Sequence, residues 1–421
     1  MRRPDDDALV ASGLGLVTAI GQGADAVTEA LMAGRHAFGH MRRPGRQLPA
    51  RGASPDDQAN APVGFIGAEI PGLRMPDGLS SSMLRTASLS GQAALAVLHE
   101  AWTDAALDGV DPARIGLVVG GSNLQQRELV AMQDAYRDRE RFLKPSYGLG
   151  FMDTDLCGLC TEAFPIRGFA HTLGGASASG QAAVIHALEA VRSGRVDACI
   201  AIGGLMDLSY WECQGLRSLG AMGSDRYADD PAAACRPFDA ARDGFIFGES
   251  CAALVVERSD RLRARNRRPW AELAGWGIAM DGNRNPNPSL EGECTAIASA
   301  LSMAGVQPEG IDYVNPHGTG SHIGDITEVQ ALRDSGLAHV RLNTTKSLIG
   351  HGLSAAGAVE LAIVLLQMRA GRLHPARNLV EPIDPGLRWV GDTSEPHAIR
   401  AALNMSMGFG GINTAICALA C

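Results

Sequence analysis

The chain is organised around the stretch Gly174-Gly175-Ala176-Ser177-Ala178-Ser179-Gly180. The apolar run 181–191 that follows predicts a buried helix, and the strand-like run 198–202 comes next. A hydroxyl on a tight turn at a helix N-terminus lies where free N–H groups and the helix dipole favour negative charge. The stretch therefore predicts either a site for a nucleophile or an oxyanion, or a packing contact made by small residues.

The composition bounds the class of protein. With 421 residues, of which 46% are hydrophobic and 20% charged, the chain can form two domains or one large α/β unit. A net charge of −9 without a long basic run argues against a nucleic-acid-binding protein.

Neither a secretion signal nor a membrane span is expected. The first seven residues have no apolar segment behind their basic pair. The longest apolar helix candidate, 358–368, contains Glu360 and is too short to cross a bilayer. We expect a cytoplasmic protein that does not contact membranes.

The nine cysteines are scattered, and most lie in apolar runs. Cys157 and Cys160 form a lone C-x-x-C pair without a second pair or a nearby pair of histidines, so we expect reduced thiols and no metal site.

Strand and helix patterns alternate along the chain, and their order repeats. The strand-like run 271–277 resembles the opening strand at 9–17, and the helix pattern at 293–304 matches the one at 84–102. The repeat predicts a duplicated α/β fold with mostly parallel sheets between helices. We expect an N-terminal half, 1–258, with an insertion at 123–165, and a C-terminal half, 259–421, sharing one core; 40–62 reads as a surface loop.

Three turns in the second half carry candidate chemistry. His317 directly follows a strand pattern, at the end where α/β folds gather ligands. Lys346 is one of only two lysines, which suggests a buried ammonium paired with Glu360, although an ordinary surface lysine is the alternative. The glycines around Phe409 let the backbone pass close to a ligand.

These motifs give the chain a resemblance to the ketosynthases of fatty-acid and polyketide synthesis over about residues 8–418. The matching sequence motifs are Ser12-Gly13-Leu14-Gly15, Cys235-Arg236-Pro237-Phe238-Asp239, Arg242-Asp243-Gly244-Phe245, His317-Gly318-Thr319-Gly320, Lys346-Ser347 with Gly350-His351, and Gly408-Phe409-Gly410-Gly411. The resemblance implies a thiolase-like, duplicated α/β/α/β/α five-layer fold, a homodimer, and substrates on the phosphopantetheine of an acyl carrier protein, with no bound cofactor.

The resemblance also implies roles for individual residues. His317 and His351 would flank the reactive carbonyl, and Lys346, paired with Glu360, would order the site. The resemblance further implies an oxyanion hole made by the N–H groups of Ser177 and Phe409, and pantetheine contacts from Thr319 and Ser321.

One departure from the family changes the expected function, because Ser177 stands where the family has its catalytic cysteine. A hydroxyl is far less acidic than a thiol, so capture of an acyl chain should fail. Two histidine donors still suit the enolate formed when a malonyl thioester loses CO₂. The chain resembles the Cys-to-Ser decarboxylases of polyketide β-branching cassettes, which implies conversion of malonyl-carrier into acetyl-carrier.

Two alternatives stay open at this point. Ser177 could be a nucleophile activated by His317 or His351, in an acyltransferase or condensing enzyme. The chain could also be a non-catalytic partner that resembles a chain-length factor.

Overall fold

A computed structural model describes residues 5–47 and 65–421. The strands of these residues are β1 (Leu9–Thr18), β2 (Gly21–Gln22), β3 (Phe38–His40), β4 (Ile66–Ala68), β5 (Ile115–Gly120), β6 (Phe169–Leu173), β7 (Ala198–Gly203), β8 (Phe247–Gly248), β9 (Ser250–Arg258), β10 (Ala271–Met280), β11 (Tyr313–Asn315), β12 (Arg341–Leu342), β13 (Arg372–Leu373), β14 (Arg388–Trp389), β15 (Glu395–Pro396), β16 (Ala401–Gly408) and β17 (Ile412–Leu419). Their helices are α1 (Ala24–Met32), α2 (Ser81–Thr86), α3 (Leu89–Ala105), α4 (Gln126–Tyr136), α5 (Ser146–Gly150), α6 (Asp155–Ala163), α7 (Ser179–Arg192), α8 (Tyr210–Ser218), α9 (Ser259–Ala264), α10 (Leu290–Ala304), α11 (His322–Asp334), α12 (Lys346–Ile349) and α13 (Ala356–Ala370).

The main strands form two sheets with the same topology. The first runs β6-β5-β7-β9-β1 and the second runs β12-β11-β16-β17-β10, so each follows the order 3-2-4-5-1 of its own strands. A short antiparallel pairing between β1 and β10 joins them, and β14 extends the second sheet beyond β12. The shared order is the structural counterpart of the repeated sequence pattern.

Four of the five main strands of each sheet run in the same direction, as expected of mostly parallel sheets. One strand in each sheet, β9 in the first and β17 in the second, runs antiparallel to both of its neighbours. The sheets are therefore mixed. Parallel pairing is confined to the strands at the outer side of each sheet. Both strand directions produce the same apolar runs when two faces are buried, so the sequence pattern could not reveal this.

Helices cover both faces of both sheets. Helix α3 packs on β1 and β9, and α10 packs on the equivalent strands β10 and β17. Between the two sheets, α7 and α13 pack against each other. The resulting layers confirm the duplicated α/β/α/β/α arrangement.

The central helix of the second half contains the apolar run 358–368 and extends beyond it at both ends. The helical stretch Leu353–Ala370 has 18 residues and is apolar enough to cross a membrane, but 83% of it is buried inside the protein. This helix is therefore the core helix of the fold, and its apolar composition is explained by sheets on both sides.

Some predicted boundaries differ from those in the structure. The helix expected at 84–102 is two helices, because Ala87 is extended and the Ser88 side chain accepts a hydrogen bond from Gly91 N–H as the N-cap of α3. The segment 48–62 of the predicted surface loop lies outside the described residues.

The duplication extends to the turns that precede the central helices. The turns Ala176–Ala178 and Leu353–Ala355 are both short 3₁₀ helices. The first residue of each has a positive φ, 46° at Ala176 and 51° at Leu353, in a region that costs non-glycine residues about 1–3 kcal/mol. Such strain persists where the surrounding structure imposes it, so both turns mark a candidate functional region.

The contact between the central helices leaves no room for a side chain at Gly180. A Cβ there would lie 2.9 Å from both Ser354 O and Ala358 N. We predict that Gly180→Ala lowers the free energy of unfolding by about 1–3 kcal/mol, because backbone must move. Gly158→Ala is the matched control: Gly158 is exposed on α6 and has no atom within 4 Å of an added Cβ, so this variant should be more stable by up to about 1 kcal/mol. Urea unfolding tests both, and equal effects would contradict the packing argument.

Candidate active site

Most of the predicted site residues line one cavity of about 370 Å³. Its lining includes all six predicted residues that would contact substrate: Ser177, His317, Thr319, Ser321, His351 and Phe409. The other two, Lys346 and Glu360, are buried behind the cavity and ion-paired with each other.

Ser177 lies in the 3₁₀ turn, two residues before the first residue of α7, rather than within the helix itself. The turn is held against the end of β16, because Ser406 Oγ donates to Ser177 O at 3.2 Å. Gly408 makes this approach possible, since a Cβ there would lie 2.2 Å from Gly175 O. The close approach brings Phe409, the next residue, to the same cavity as Ser177.

The hydrogen bonds of His351 define its tautomer. Its Nδ1 accepts a hydrogen bond from Leu353 N–H at 3.3 Å, so the neutral ring carries its proton on Nε2. Nε2 lies 2.9 Å from Ser177 Oγ. His351 therefore donates to the serine oxygen, and this tautomer has no lone pair at Nε2 with which to remove the serine proton.

His317 is constrained in the same way by a different neighbour. The Lys346 ammonium lies 3.4 Å from His317 Nδ1 and also donates to the His317 carbonyl and to Glu360. An ammonium only donates, so Nδ1 must accept and the ring proton lies on Nε2. The two imidazole rings lie with their centroids 5.4 Å apart. Both rings thus present N–H groups to one cavity.

Burial keeps both histidines neutral. It lowers the pKa of His317 and His351 well below 6.5, and the charge of Lys346 acts in the same direction. Burial raises the pKa of Glu360 to about 7, although Lys346 opposes that shift. At neutral pH the site consists of two neutral N–H donors held in place by a buried ion pair.

Sequence reasoning missed three buried carboxyl groups that line the same cavity as His317: Glu293, Asp325 and Glu328. The Glu328 carboxyl accepts hydrogen bonds from His317 N–H and Gly318 N–H and so fixes the turn that carries the histidine. Asp325 and Glu328 lie three residues apart on α11, which would have suggested one shared face. Nothing in the sequence indicated that this face is buried.

The cysteine pair remains apart from this site. Cys157 and Cys160 lie on α6, where burial raises the pKa of both thiols. Among the described residues, no three His, Cys, Asp or Glu side chains are grouped to hold a metal ion.

Comparison with known families covers most of the chain. Residues 6–261 match the family described as "Beta-ketoacyl synthase, N-terminal domain", and residues 270–380 match "Beta-ketoacyl synthase, C-terminal domain".

Individual relatives agree with this match. The chain is 57% identical over 409 residues to the Bacillus subtilis (strain 168) protein named "Polyketide biosynthesis malonyl-ACP decarboxylase PksF", covering 97% of this chain and 95% of that protein. It is 28% identical to a Coxiella burnetii "3-oxoacyl-[acyl-carrier-protein] synthase 2", covering 96% of each. Among solved structures, a Burkholderia phymatum β-ketoacyl synthase superimposes with a TM-score of 0.87 at 26% identity, covering 99% of this chain and 100% of that one.

The buried ion pair yields a test of the site's stability. Lys346→Met leaves Glu360 buried without a partner, which costs about 3–5 kcal/mol of unfolding free energy when the carboxyl is charged. In that variant the pKa of Glu360 rises above about 7, so the loss of stability should grow as the pH increases from about 6 to about 8.5.

The double variant Lys346→Met with Glu360→Leu is the control, since it removes both charges. We expect it to recover most of the lost stability and to show no such pH dependence. Urea unfolding at the two pH values measures both effects. A double variant that is as unstable as the single one would show that the ion pair is not the source.

Proposed function

Because the chain belongs to the β-ketoacyl synthase family, we propose that it uses this site to decarboxylate malonyl-acyl carrier protein to acetyl-acyl carrier protein in polyketide biosynthesis. The pair of neutral Nε2–H donors facing one cavity carries the proposal. Similarity over nearly the full length to a protein named malonyl-ACP decarboxylase supports it.

The geometry suits loss of CO₂ from a malonyl thioester. The Nε2–H groups of His317 and His351 donate to the thioester oxygen as it becomes an enolate oxygen. Each such donor in a preorganised site contributes about 3–4 kcal/mol to the transition state. The N–H groups of Ser177 and Phe409 supply a second position for developing negative charge.

The walls of the cavity complete this assignment. Met206, Leu216, Phe245 and Leu353 form an apolar side that solvates a carboxylate poorly and so favours its loss as CO₂. Thr319 and Ser321 line the cavity and supply hydroxyls for the pantetheine arm of the carrier protein. The reaction draws on no resident cofactor, because the acyl group arrives on the carrier.

The hydrogen bonds argue against Ser177 as an activated nucleophile. Both candidate bases carry their proton on the nitrogen that faces the cavity, and His351 donates to Ser177 rather than accepting from it. A serine needs a general base to attack a thioester. The paired histidines and the buried lysine also argue against a partner that does no chemistry.

We further propose that the protein forms a homodimer through the edge of the first sheet. Within residues 5–47 and 65–421, strand β6 pairs with β5 alone, so one edge is open to another strand. Thr172 of this strand donates to Asp153 O at 2.6 Å, which places the neighbouring apolar side chains Phe151 and Met152, both about half exposed, beside that edge. A second copy related by a two-fold axis would cover both features.

The decarboxylation proposal predicts the effects of removing each donor. His317→Ala and His351→Ala should each lower the rate of acetyl-carrier formation by about 10²–10³-fold, because an enolate donor is lost. Exposed His339 lies outside the cavity, so His339→Ala is the matched control and should keep the full rate. Purified protein is mixed with malonyl-carrier, and intact mass follows the carrier.

The same samples distinguish the alternatives. The enzyme's own mass should stay unchanged, whereas Ser177→Cys should gain an acyl group from an acyl-carrier and serves as the positive control. An acyl adduct on Ser177 of the unmodified enzyme would support the nucleophile alternative. Full activity in both histidine variants would refute the enolate assignment, and an unchanged malonyl-carrier would refute the decarboxylase.

The dimer proposal predicts a change in mass on adding a charge at the edge. Phe151→Glu should lower the molar mass measured by light scattering from twice that of the chain towards that of one chain. Val380→Glu is the control, because Val380 is exposed and lies far from β6 in the sequence. A wild-type protein with the mass of one chain would refute the proposal.

A further inference from the structure

The proposed reaction needs a proton at C2 of the substrate, whereas a condensation reaction does not. When CO₂ leaves, the bonding electrons stay on C2 of the substrate, and in condensation an acyl group would take them up. Here the product is an acetyl group, so C2 must receive a proton instead. This requirement rests on the proposed function, and it means that a group in the site must supply that proton.

The groups already assigned are poor sources. The Nε2–H groups of His317 and His351 are engaged with the enolate oxygen, and a serine hydroxyl is a weak acid. Asp325 accepts from Phe238 N–H at 2.7 Å and Gly320 N–H at 3.0 Å. Two backbone donors likewise hold the Glu328 carboxyl. These bonds engage both oxygens of each carboxyl, so neither group has an oxygen free to approach C2, although burial raises the pKa of Asp325 to about 6 and that of Glu328 to about 8.

Glu293 differs from these groups. Its side chain is almost entirely buried, it lines the same cavity as Ser177 and His317, and within the described residues its Oε2 has no hydrogen-bond partner. A buried carboxyl oxygen without a partner is costly and therefore needs an explanation. An acyl group bound in the cavity would supply the missing contact.

The surroundings of Glu293 favour its protonated form. Glu328, Asp325 and Asp281 line the same cavity and act on Glu293 electrostatically, and Asp281 is paired with the Asn413 amide at 2.6 Å. Burial and these three carboxyl groups raise the pKa of Glu293 well above its usual value. The cationic groups Lys346 and Arg242 act on its neighbours, Lys346 on Glu328 and both on Asp325.

We propose that Glu293 is the catalytic acid that protonates C2 of the enolate after CO₂ leaves. The bond from C2 to the carboxylate breaks first, and its electron pair forms the enolate held by the two imidazole N–H groups. The Glu293 O–H bond then breaks, its proton forms the new C2–H bond, and its electron pair stays on the carboxylate. Solvent water returns a proton to Glu293 before the next turnover.

The test compares Glu293→Gln with Glu291→Gln in the full-length protein, with malonyl-carrier as substrate. Glu291 lies in the same first turn of α10 but is exposed, so its variant should keep the wild-type rate. Glu293→Gln should lower kcat by about 10²-fold or more, with little change in KM for the carrier. The wild-type rate should fall as the pH rises through the pKa of Glu293, and Glu293→Gln should lack this decline.

A second readout reports on the donor itself. In an equal mixture of H₂O and D₂O, the ratio of the isotopes in the new methyl group depends on which acid delivers the proton. We expect Glu293→Gln to change this ratio and Glu291→Gln to leave it unchanged. If Glu293→Gln does not fold, Glu293→Asp replaces it, and its alkaline decline should shift in pH.

The outcomes separate the two proposals. An active wild type with unchanged rate, pH profile and isotope ratio in Glu293→Gln would overturn the role of Glu293 and assign the proton to water. An alkaline decline that does not shift in Glu293→Asp would overturn it as well. A wild type that forms no acetyl-carrier would overturn the proposed function, and the role of Glu293 with it.

Discussion

The hydrogen bonds to the Nδ1 atoms of two buried imidazoles determine the chemistry of this site. Lys346 holds His317 and the backbone N–H of Leu353 holds His351, so both rings present Nε2–H to the cavity. Two donors that face one oxygen stabilise an enolate, whereas a base for a serine would need the opposite tautomer. The direction of two hydrogen bonds thus distinguishes a carbanion-forming site from a nucleophilic one.

The duplicated fold explains how these groups come together. The strained turns before α7 and α13 are equivalent, and they meet because Gly180 and Gly357 let the two helices pack closely. The first turn presents Ser177, and the second aims the N–H of Leu353 at a histidine two residues earlier in the chain. The same strained turn therefore occurs twice. In the first half it presents the Ser177 hydroxyl, and in the second half it positions the backbone N–H that binds His351.

Much of this architecture could be predicted from the sequence, since apolar runs and glycine turns mark strands and helices, and the turns at His317, Lys346 and Phe409 are distinctive. The single reversed strand of each sheet, β9 or β17, could not be predicted, because runs buried on both faces look alike in parallel and antiparallel pairing. The burial of Glu293 was also hidden, because a charged residue in a helix normally faces solvent. Nor does any side-chain pattern reveal the Leu353 N–H, because the backbone carries it.

The hydrogen bonds that hold the two imidazoles explain why serine in place of the family's cysteine at position 177 is compatible with decarboxylation. Capture of an acyl chain depends on the acidity of the group at 177, which drops sharply from thiol to hydroxyl. In the proposed reaction, enolate stabilisation depends on Lys346, Glu360 and Leu353, and none of their contacts with the histidines passes through Ser177. The serine oxygen accepts the His351 N–H at 2.9 Å, and under the proposed function a thioester oxygen accepts the same N–H during reaction. Under the proposed function, oxygen at this position therefore prevents chain capture while the donors keep their orientation.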